Sequence, residues 1–363
     1  MVADFVRLCE IESPSRRERA VADALTADLR RLGLEVHEDA SAGETGSDSG
    51  NLLARVPGAE GARTIMLCAH LDTVPLAAPV EMAREEGWLT NRNEGICGAD
   101  NKAAVAVILA LARRLMRDGS PVGVELLFTT CEELALAGAK AFDRHELQSE
   151  FGFVFDHASP IGELILAAPT YYRLEATFLG KAAHAGIRPE HGHSAIVAAG
   201  KALASMPLGR LDPETTANAG LIEGGTAANV VAERCRLELE ARSVDHARAG
   251  QTVTNMLDVL TAAACDVQCD VETLVEEQFR GFRMARTAPA VVAAAGALEA
   301  AGIEPAYVST GGGSDANVFN ERGLPCLNVA NGTEANHEPG ERVSVESLET
   351  MLDVALGIVA RCA

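Results

Sequence analysis

Three apolar runs typical of buried strands alternate with helical segments in the first half of the chain. The runs are TIMLCAHL (64–71), VGVELLFTT (122–130) and FGFVFD (151–156). Between the first two lies NKAAVAVILALARRLM (101–116), whose apolar residues recur with helical spacing. This alternation predicts an α/β fold, with a mainly parallel sheet and helices on both of its faces.

The pattern changes after residue 167. From PTYYRLEATFLG (169–180) onward the chain reads as strand, helix, two strands, helix and strand. This is the order of a ferredoxin-like α+β unit, and it has the size of a small domain. We therefore predict one α/β domain built from residues 1–167 and 279–363, interrupted by an inserted ferredoxin-like domain at 168–278.

The charge balance and the apolar pattern argue against two classes of partner. The 363 residues include 52 acidic and 31 basic side chains, a net charge of −21, whereas nucleic acids and anionic membranes attract clustered Lys and Arg. No 18-residue apolar stretch appears, and the N-terminus reads as an amphipathic helix with no signal peptide. Nine scattered cysteines in apolar contexts fit a reducing compartment. We expect a cytoplasmic protein that acts on small molecules or peptides, with no nucleic acid or membrane partner.

Polar residues stand where the predicted strands of the α/β part end, or in its loops. In open α/β sheets, ligands bind beyond the carboxyl ends of the strands, so these residues are predicted to converge. Taken singly, each has a simpler explanation, such as a helix cap, charge near a helix N-terminus, a core histidine or a surface loop. The residues are His70, Asp72, Asp100, Glu132, Glu133, Asp156 and His337.

Electrostatics favour a metal site over these separate explanations. Several carboxylates in one partly buried crevice would become protonated unless cations neutralised them. We therefore predict two divalent metal ions, and the mixture of His with Asp and Glu suits zinc, with cobalt or manganese as alternatives. Glu132 is predicted to be the general base, and Asp72 to hold His70 and fix its tautomer. The predicted ligands are His70, Asp100, Glu133, Asp156 and His337.

A set of motifs spread over most of the chain carries a family resemblance. The sequence resembles the co-catalytic zinc exopeptidases and amidohydrolases that include peptidase T, carboxypeptidase G and the aminoacylases, and it looks most like the peptidase T-like branch. It departs from them at Asn101, where many relatives have Asp, and at Ala135, where Gly is common. The motifs are HLDTVP, GADNKAAVA, EELALAG, GKAAHAG, GGTAANVV, EARS, GGGSDAN and NHEPGERV.

The resemblance implies how the ligands are shared. His70 and Asp156 would hold one ion, and Glu133 and His337 the other. Asp100 would bridge the two ions, with a cis peptide bond following it.

For the inserted domain, the resemblance implies a lid that also forms the contact of a homodimer. His184, in the motif GKAAHAG, would stabilise the oxyanion of the reaction. Asn229 and Arg242 would hold the substrate, and Arg242 can grip a terminal carboxylate with two hydrogen bonds.

The function expected from these features is a two-metal hydrolase that cleaves amide bonds of small peptides, in particular a tripeptide aminopeptidase. An N-acyl amino acid amidohydrolase, or another small-peptide exopeptidase, is the alternative. Both kinds of substrate present an amide and a carboxylate to Arg242. A non-catalytic metal- or peptide-binding protein would be expected to lack a ligand or Glu132, yet every position is filled.

Overall fold

The computed structural model describes residues 1–363. The helices are α1 Val2–Cys9, α2 Arg19–Arg31, α3 Ala42–Thr45, α4 Ala99–Asp118, α5 Ala137–Ala141, α6 Ala195–Ser205, α7 His246–Asp266, α8 Pro289–Ala300, α9 Asp315–Glu321 and α10 Val345–Arg361, with short 3-10 helices at Arg144–Glu146 and Pro189–His191. The strands are β1 Val36–Glu38, β2 Leu52–Val56, β3 Thr64–His70, β4 Met82–Glu85, β5 Trp88–Asn91, β6 Gly123–Thr129, β7 Phe151–His157, β8 Glu163–Ala168, β9 Thr170–Leu179, β10 Gly209–Asp212, β11 Thr215–Gly224, β12 Arg234–Ser243, β13 Asp270–Phe279, β14 Phe282–Arg283, β15 Ala306–Ser309, β16 Cys326–Ala330, β17 Thr333–Glu334 and β18 Arg342–Ser344.

Four parallel strands form the centre of the main sheet. They are adjacent in the order β6, β3, β7 and β16. From Ile65 to His70 every residue of β3 is buried, and β6 is buried from its second residue onward. Strands covered on both faces need continuous apolar runs, which explains the runs in the sequence. Antiparallel pairing then extends this sheet through β2 and β1 on one side and β8 on the other.

Helices pack in two groups around this sheet. In one group α4 contacts α1 and α10, and α10 also contacts α8. Helix α4 lies on β3 and β7. In the other group α5 contacts α3 and α9, and α9 lies on β16. The α/β fold class predicted from the sequence is confirmed. None of the ten helices combines the length and the apolar character needed to cross a lipid bilayer.

A small antiparallel sheet, with the strand order β17-β18-β5-β4, also belongs to this part of the chain. The sequence did not predict it, because strands of two to four residues carry too few positions to show a period. Strands β17 and β18 form a hairpin in which Thr333 pairs with Val343 and Glu334 with Arg342. Its loop, residues 335–341, carries His337.

Residues 168–282 and 310–313 form a second compact unit, and the rest of the chain forms the first. The second unit is a five-stranded antiparallel sheet of order β10-β11-β12-β9-β13, on which α6 and α7 pack. Apart from the short β10, the chain order is β9-α6-β11-β12-α7-β13, the predicted ferredoxin-like arrangement. Its core includes Leu174, Phe178, Leu237 and Leu260. The domain boundaries predicted after residues 167 and 278 stay predictions.

Glu125, in the middle of β6, shows how a buried charge is held in the first unit. Its side chain is fully buried and pairs with Arg55 at 2.9 Å. It also accepts hydrogen bonds from the backbone N–H groups of Gln148 and Ser149, each at 3.0 Å. These bonds tie β6 to the loop that precedes β7.

We expect Glu125→Gln to lower the free energy of unfolding by about 1–3 kcal/mol, because the amide leaves buried donors without an acceptor. Urea titration followed by circular dichroism measures this change. The exposed Glu150 offers a control, since Glu150→Gln should stay within about 0.5 kcal/mol of the parent. Equal stability of the two variants would contradict the role assigned to Glu125.

Candidate functional site

His70 ends the central strand β3 and is 1% exposed. Its Nδ1 lies 2.9 Å from the main-chain oxygen of Asp72 and 3.4 Å from the Asp72 carboxylate. Its Nε2 lies 3.2 Å from Oδ1 of Asp100 and 3.5 Å from Oδ1 of Asp156. Asp72 therefore contacts the ring at Nδ1, mainly through its main-chain oxygen. The other ring nitrogen, Nε2, faces the carboxylates of Asp100 and Asp156.

Asp100 connects the two histidines of the site. It lies in the first turn of α4, and the peptide bond between Asp100 and Asn101 is cis, as the family resemblance implies. While Oδ1 faces His70, Oδ2 lies 3.2 Å from Nε2 of His337. Burial opposes ionisation of this carboxyl group, but hydrogen bonds from His337 and His70 hold its pKa well below the usual value.

His337 approaches from the hairpin loop of residues 335–341, and half of its side chain is exposed. The residue has a left-handed backbone, with φ of +66°. Its Nε2 lies 2.9 Å from Oε1 of Glu133. Hydrogen bonds with Asp100 and Glu133 raise the pKa of His337 to about 10.

Asp72 also fixes the backbone that presents the two glutamates. Its Oδ1 accepts a hydrogen bond from the N–H of Glu132 at 2.9 Å, and its Oδ2 accepts one from the N–H of Glu133 at 3.2 Å. The hydroxyl of Ser15 donates to the same Oδ2 at 2.6 Å. The sequence associated Asp72 with His70 alone, so this second set of contacts is new.

Two groups of donor atoms are close enough to hold metal ions. Donors of His70, Glu132 and Asp156 lie within 4.8 Å of one another, and so do donors of His70, Asp100 and Glu133. Burial, with Asp156 nearby, raises the pKa of Glu132 well above its usual value. Burial also raises the pKa of Asp156 to about 7. All seven residues singled out in the α/β part thus meet at one place, and their individual roles remain predictions.

Three polar residues of this region were not singled out from the sequence as site residues. Asn101 donates a hydrogen bond from Nδ2 to Oδ1 of Asp156 at 3.1 Å. Asp315 is buried and accepts a hydrogen bond from Thr129, and its other carboxylate oxygen has no partner. Glu341 is buried beside the backbone that precedes Asp100. The motifs GADNKAAVA, GGGSDAN and NHEPGERV contain these residues, and the only available signal was a polar side chain inside a motif.

His184, Asn229 and Arg242 lie in the second unit. The exposed loops that carry His184 and Asn229 are neighbours. The N–H of Ala185 donates to the carbonyl of Asn229 at 3.0 Å, and His184 forms an isolated antiparallel β-bridge with Val230.

Arg242, on β12, packs its guanidinium 4.1 Å from the ring centre of Tyr171. It also pairs with Glu240 at 3.1 Å and donates to the carbonyl of Gly311 at 3.1 Å. The guanidinium is thus held in a fixed plane, which suits recognition of a carboxylate.

Comparison with known proteins identifies relatives over nearly the whole chain. The sequence model of peptidase family M20/M25/M40 matches residues 66–361. The crystal structure of aminopeptidase PepT from Bacillus cereus is 35% identical, with a TM-score of 0.93 over 99% of this chain and 97% of the other. A tripeptidase from Staphylococcus aureus is 32% identical, with a TM-score of 0.95 over 99% and 96%. A peptidase T-like protein from Rhizobium meliloti is 28% identical over 99% of this chain and 97% of its own length.

Proposed function

This chain belongs to peptidase family M20/M25/M40, and we propose that it is a two-metal hydrolase that releases the N-terminal residue of tripeptides. One observation carries the proposal: the two oxygens of Asp100 face different histidines, each 3.2 Å away. Such a carboxylate suits a bridge between two cations. The aminopeptidase and the tripeptidase described above support the choice of tripeptides as substrates.

The side chains present fit a pair of divalent ions. His70 and Asp156 would hold one ion and Glu133 and His337 the other, with Asp100 shared. Imidazole nitrogens with carboxylate oxygens, and no cysteine, are a donor set for zinc in a catalytic site. Because Asp100, Glu133 and Asp156 bring three negative charges to one partly buried region, a pair of dications would also relieve their mutual repulsion.

When bound, the ions would polarise the scissile carbonyl and lower the pKa of water. Glu132 would accept a proton from the attacking water and deliver it to the leaving amine. Asp72 accepts hydrogen bonds from the N–H groups of both Glu132 and Glu133 and so fixes the backbone that presents the two side chains to the site. In this proposal Glu132 transfers the proton and Glu133 would bind metal.

The second unit would supply substrate recognition. Arg242, fixed by Tyr171 and Glu240, would bind the C-terminal carboxylate of the peptide. His184 would donate to the developing oxyanion, and Asn229 would orient the substrate. We also propose that this unit acts as the lid and forms the contact of a homodimer, an oligomeric state that light scattering would read.

Glu132→Gln should lower kcat about 10²–10⁴-fold on a cleaved tripeptide, since the amide cannot accept the proton. Steady-state kinetics with saturating zinc measure this change, and bound metal is quantified in the same samples. Glu150→Gln, an exposed change of the same chemistry, should leave kcat unaltered. Full turnover by Glu132→Gln would rule out its role as general base.

Removal of metal should abolish peptide hydrolysis, because the ligand carboxylates and imidazoles alone supply no strong Lewis acid. Dialysis against a chelator followed by mass-spectrometric metal analysis checks the loss. Adding back zinc, cobalt or manganese in separate samples should restore activity at about two ions per chain. Hydrolysis that persists in metal-free protein would refute the two-metal proposal.

Tripeptides with a free N-terminal amine should be cleaved at their first peptide bond far faster than N-acyl amino acids are deacylated. Mass spectrometry of the products identifies the bond that is cut. Tripeptide amides serve as the control for Arg242, because they lack the terminal carboxylate and should show a raised KM. Preference for N-acyl amino acids would favour the amidohydrolase alternative.

A further inference from the structure

A buried carboxylate stands at the base of the loop that carries His337. Glu341 is the last residue of the loop 335–341 and is 1% exposed. Strand β18 begins immediately after it and pairs with β17 and β5. The carbonyl of Glu341 accepts a hydrogen bond from the hydroxyl of Thr90 on β5 at 3.1 Å. The residue is therefore anchored through its backbone to the small sheet.

The side chain of Glu341 reaches across to the start of α4. Its Oε2 accepts hydrogen bonds from the N–H groups of Cys97 at 2.8 Å and Gly98 at 2.6 Å. Its Oε1 accepts one from the N–H of Asp100 at 3.0 Å. Three bonds of this kind hold the carboxylate in one orientation, and each is strengthened by the charge of the acceptor.

Glu341 satisfies backbone donors of the segment that leads into α4. Gly98, which precedes the helix, has a φ of +77° and no side chain that could accept a hydrogen bond. The backbone of Asp100 and Asn101 is not helical, so the regular helix starts only after them. Residues Cys97, Gly98 and Asp100 are buried, and buried N–H groups need acceptors, which the carboxylate of Glu341 supplies.

We infer that Glu341 is a positioning residue that fixes the distance between Asp100 and His337. It binds the backbone N–H of Asp100 directly, and it belongs to the same seven-residue loop as His337. The two ligands come from elements far apart in sequence, yet Nε2 of His337 lies 3.2 Å from Oδ2 of Asp100. Glu341 links the loop of His337 to the start of α4 and so holds the two at a fixed distance. This inference rests on the proposed metal-binding function.

A merely structural role predicts a different outcome, and Glu125 provides the comparison. Both glutamates are buried on a strand or beside one, and both accept hydrogen bonds from backbone N–H groups. The bonds of Glu125 hold Gln148 and Ser149, whereas those of Glu341 hold the segment that ends at Asp100. The same substitution at the two positions therefore separates lost stability from lost positioning.

Glu341→Gln should weaken the binding of at least one zinc ion about 10–100-fold, the usual effect of removing a group that orients a metal ligand. The measurement is calorimetric titration of the metal-free full-length protein with zinc, alongside a competing chromophoric chelator. Glu125→Gln should keep parental zinc affinity although its free energy of unfolding falls. Amide hydrogen exchange of residues 97–100 should accelerate in Glu341→Gln and stay unchanged in Glu125→Gln.

Two results would overturn the inference and can be told apart. Parental zinc affinity in Glu341→Gln would remove the positioning role and leave the proposed function intact. A parent protein that binds no divalent ion would remove the proposed function and this inference with it. Should Glu341→Gln fail to fold, Glu341→Asp decides the matter, because it keeps the charge but withdraws it from the three N–H groups, and it should also weaken zinc binding.

Discussion

The concentration of negative charge at the carboxyl edge of the parallel sheet constrains everything built around it. Asp72, Asp100, Glu132 and Asp156 are all buried or nearly so. Such groups are tolerated only where each has compensating partners. Backbone N–H groups and the hydroxyl of Ser15 compensate Asp72, whereas imidazoles compensate Asp100. The amide of Asn101 donates to Asp156, and the proposed cations would add to this compensation.

The elements that carry the site differ in rigidity. His70 and Asp156 stand on central strands that are buried along most of their length, and their positions follow from the packing of the core. His337 stands on a hairpin loop, its side chain is half exposed, and its place depends on local contacts. The strands thus hold His70 and Asp156 in fixed positions, whereas the loop of His337 needs additional contacts to fix its position. Glu341 can supply such contacts.

The sequence predicted the seven polar side chains that meet at the site, and it left out those whose role depends on contacts with the backbone or with a neighbouring hydroxyl. His70, Glu132 and Asp156 follow apolar runs, and the parallel order of β3, β6 and β7 makes their ends meet. Glu341 and Asp315 bind backbone N–H groups and a hydroxyl, and no residue pattern reveals such partners. The same reason explains why the hydrogen bonds that Asp72 accepts from the backbone of the two glutamates were missed. The order of strands in the sheet was also beyond reach, because β3 lies between strands that follow it in the chain.

The position of β16 in the main sheet bears on how the protein is made. Strands β7 and β8 are consecutive in the chain, yet β16 lies between them in the sheet. A ribosome therefore completes the whole second unit before it delivers the strand that fills this gap. Until then the nascent first unit exposes unpaired strand edges, a known route to aggregation. The sheet of the first unit can therefore close only after nearly the whole chain has left the ribosome.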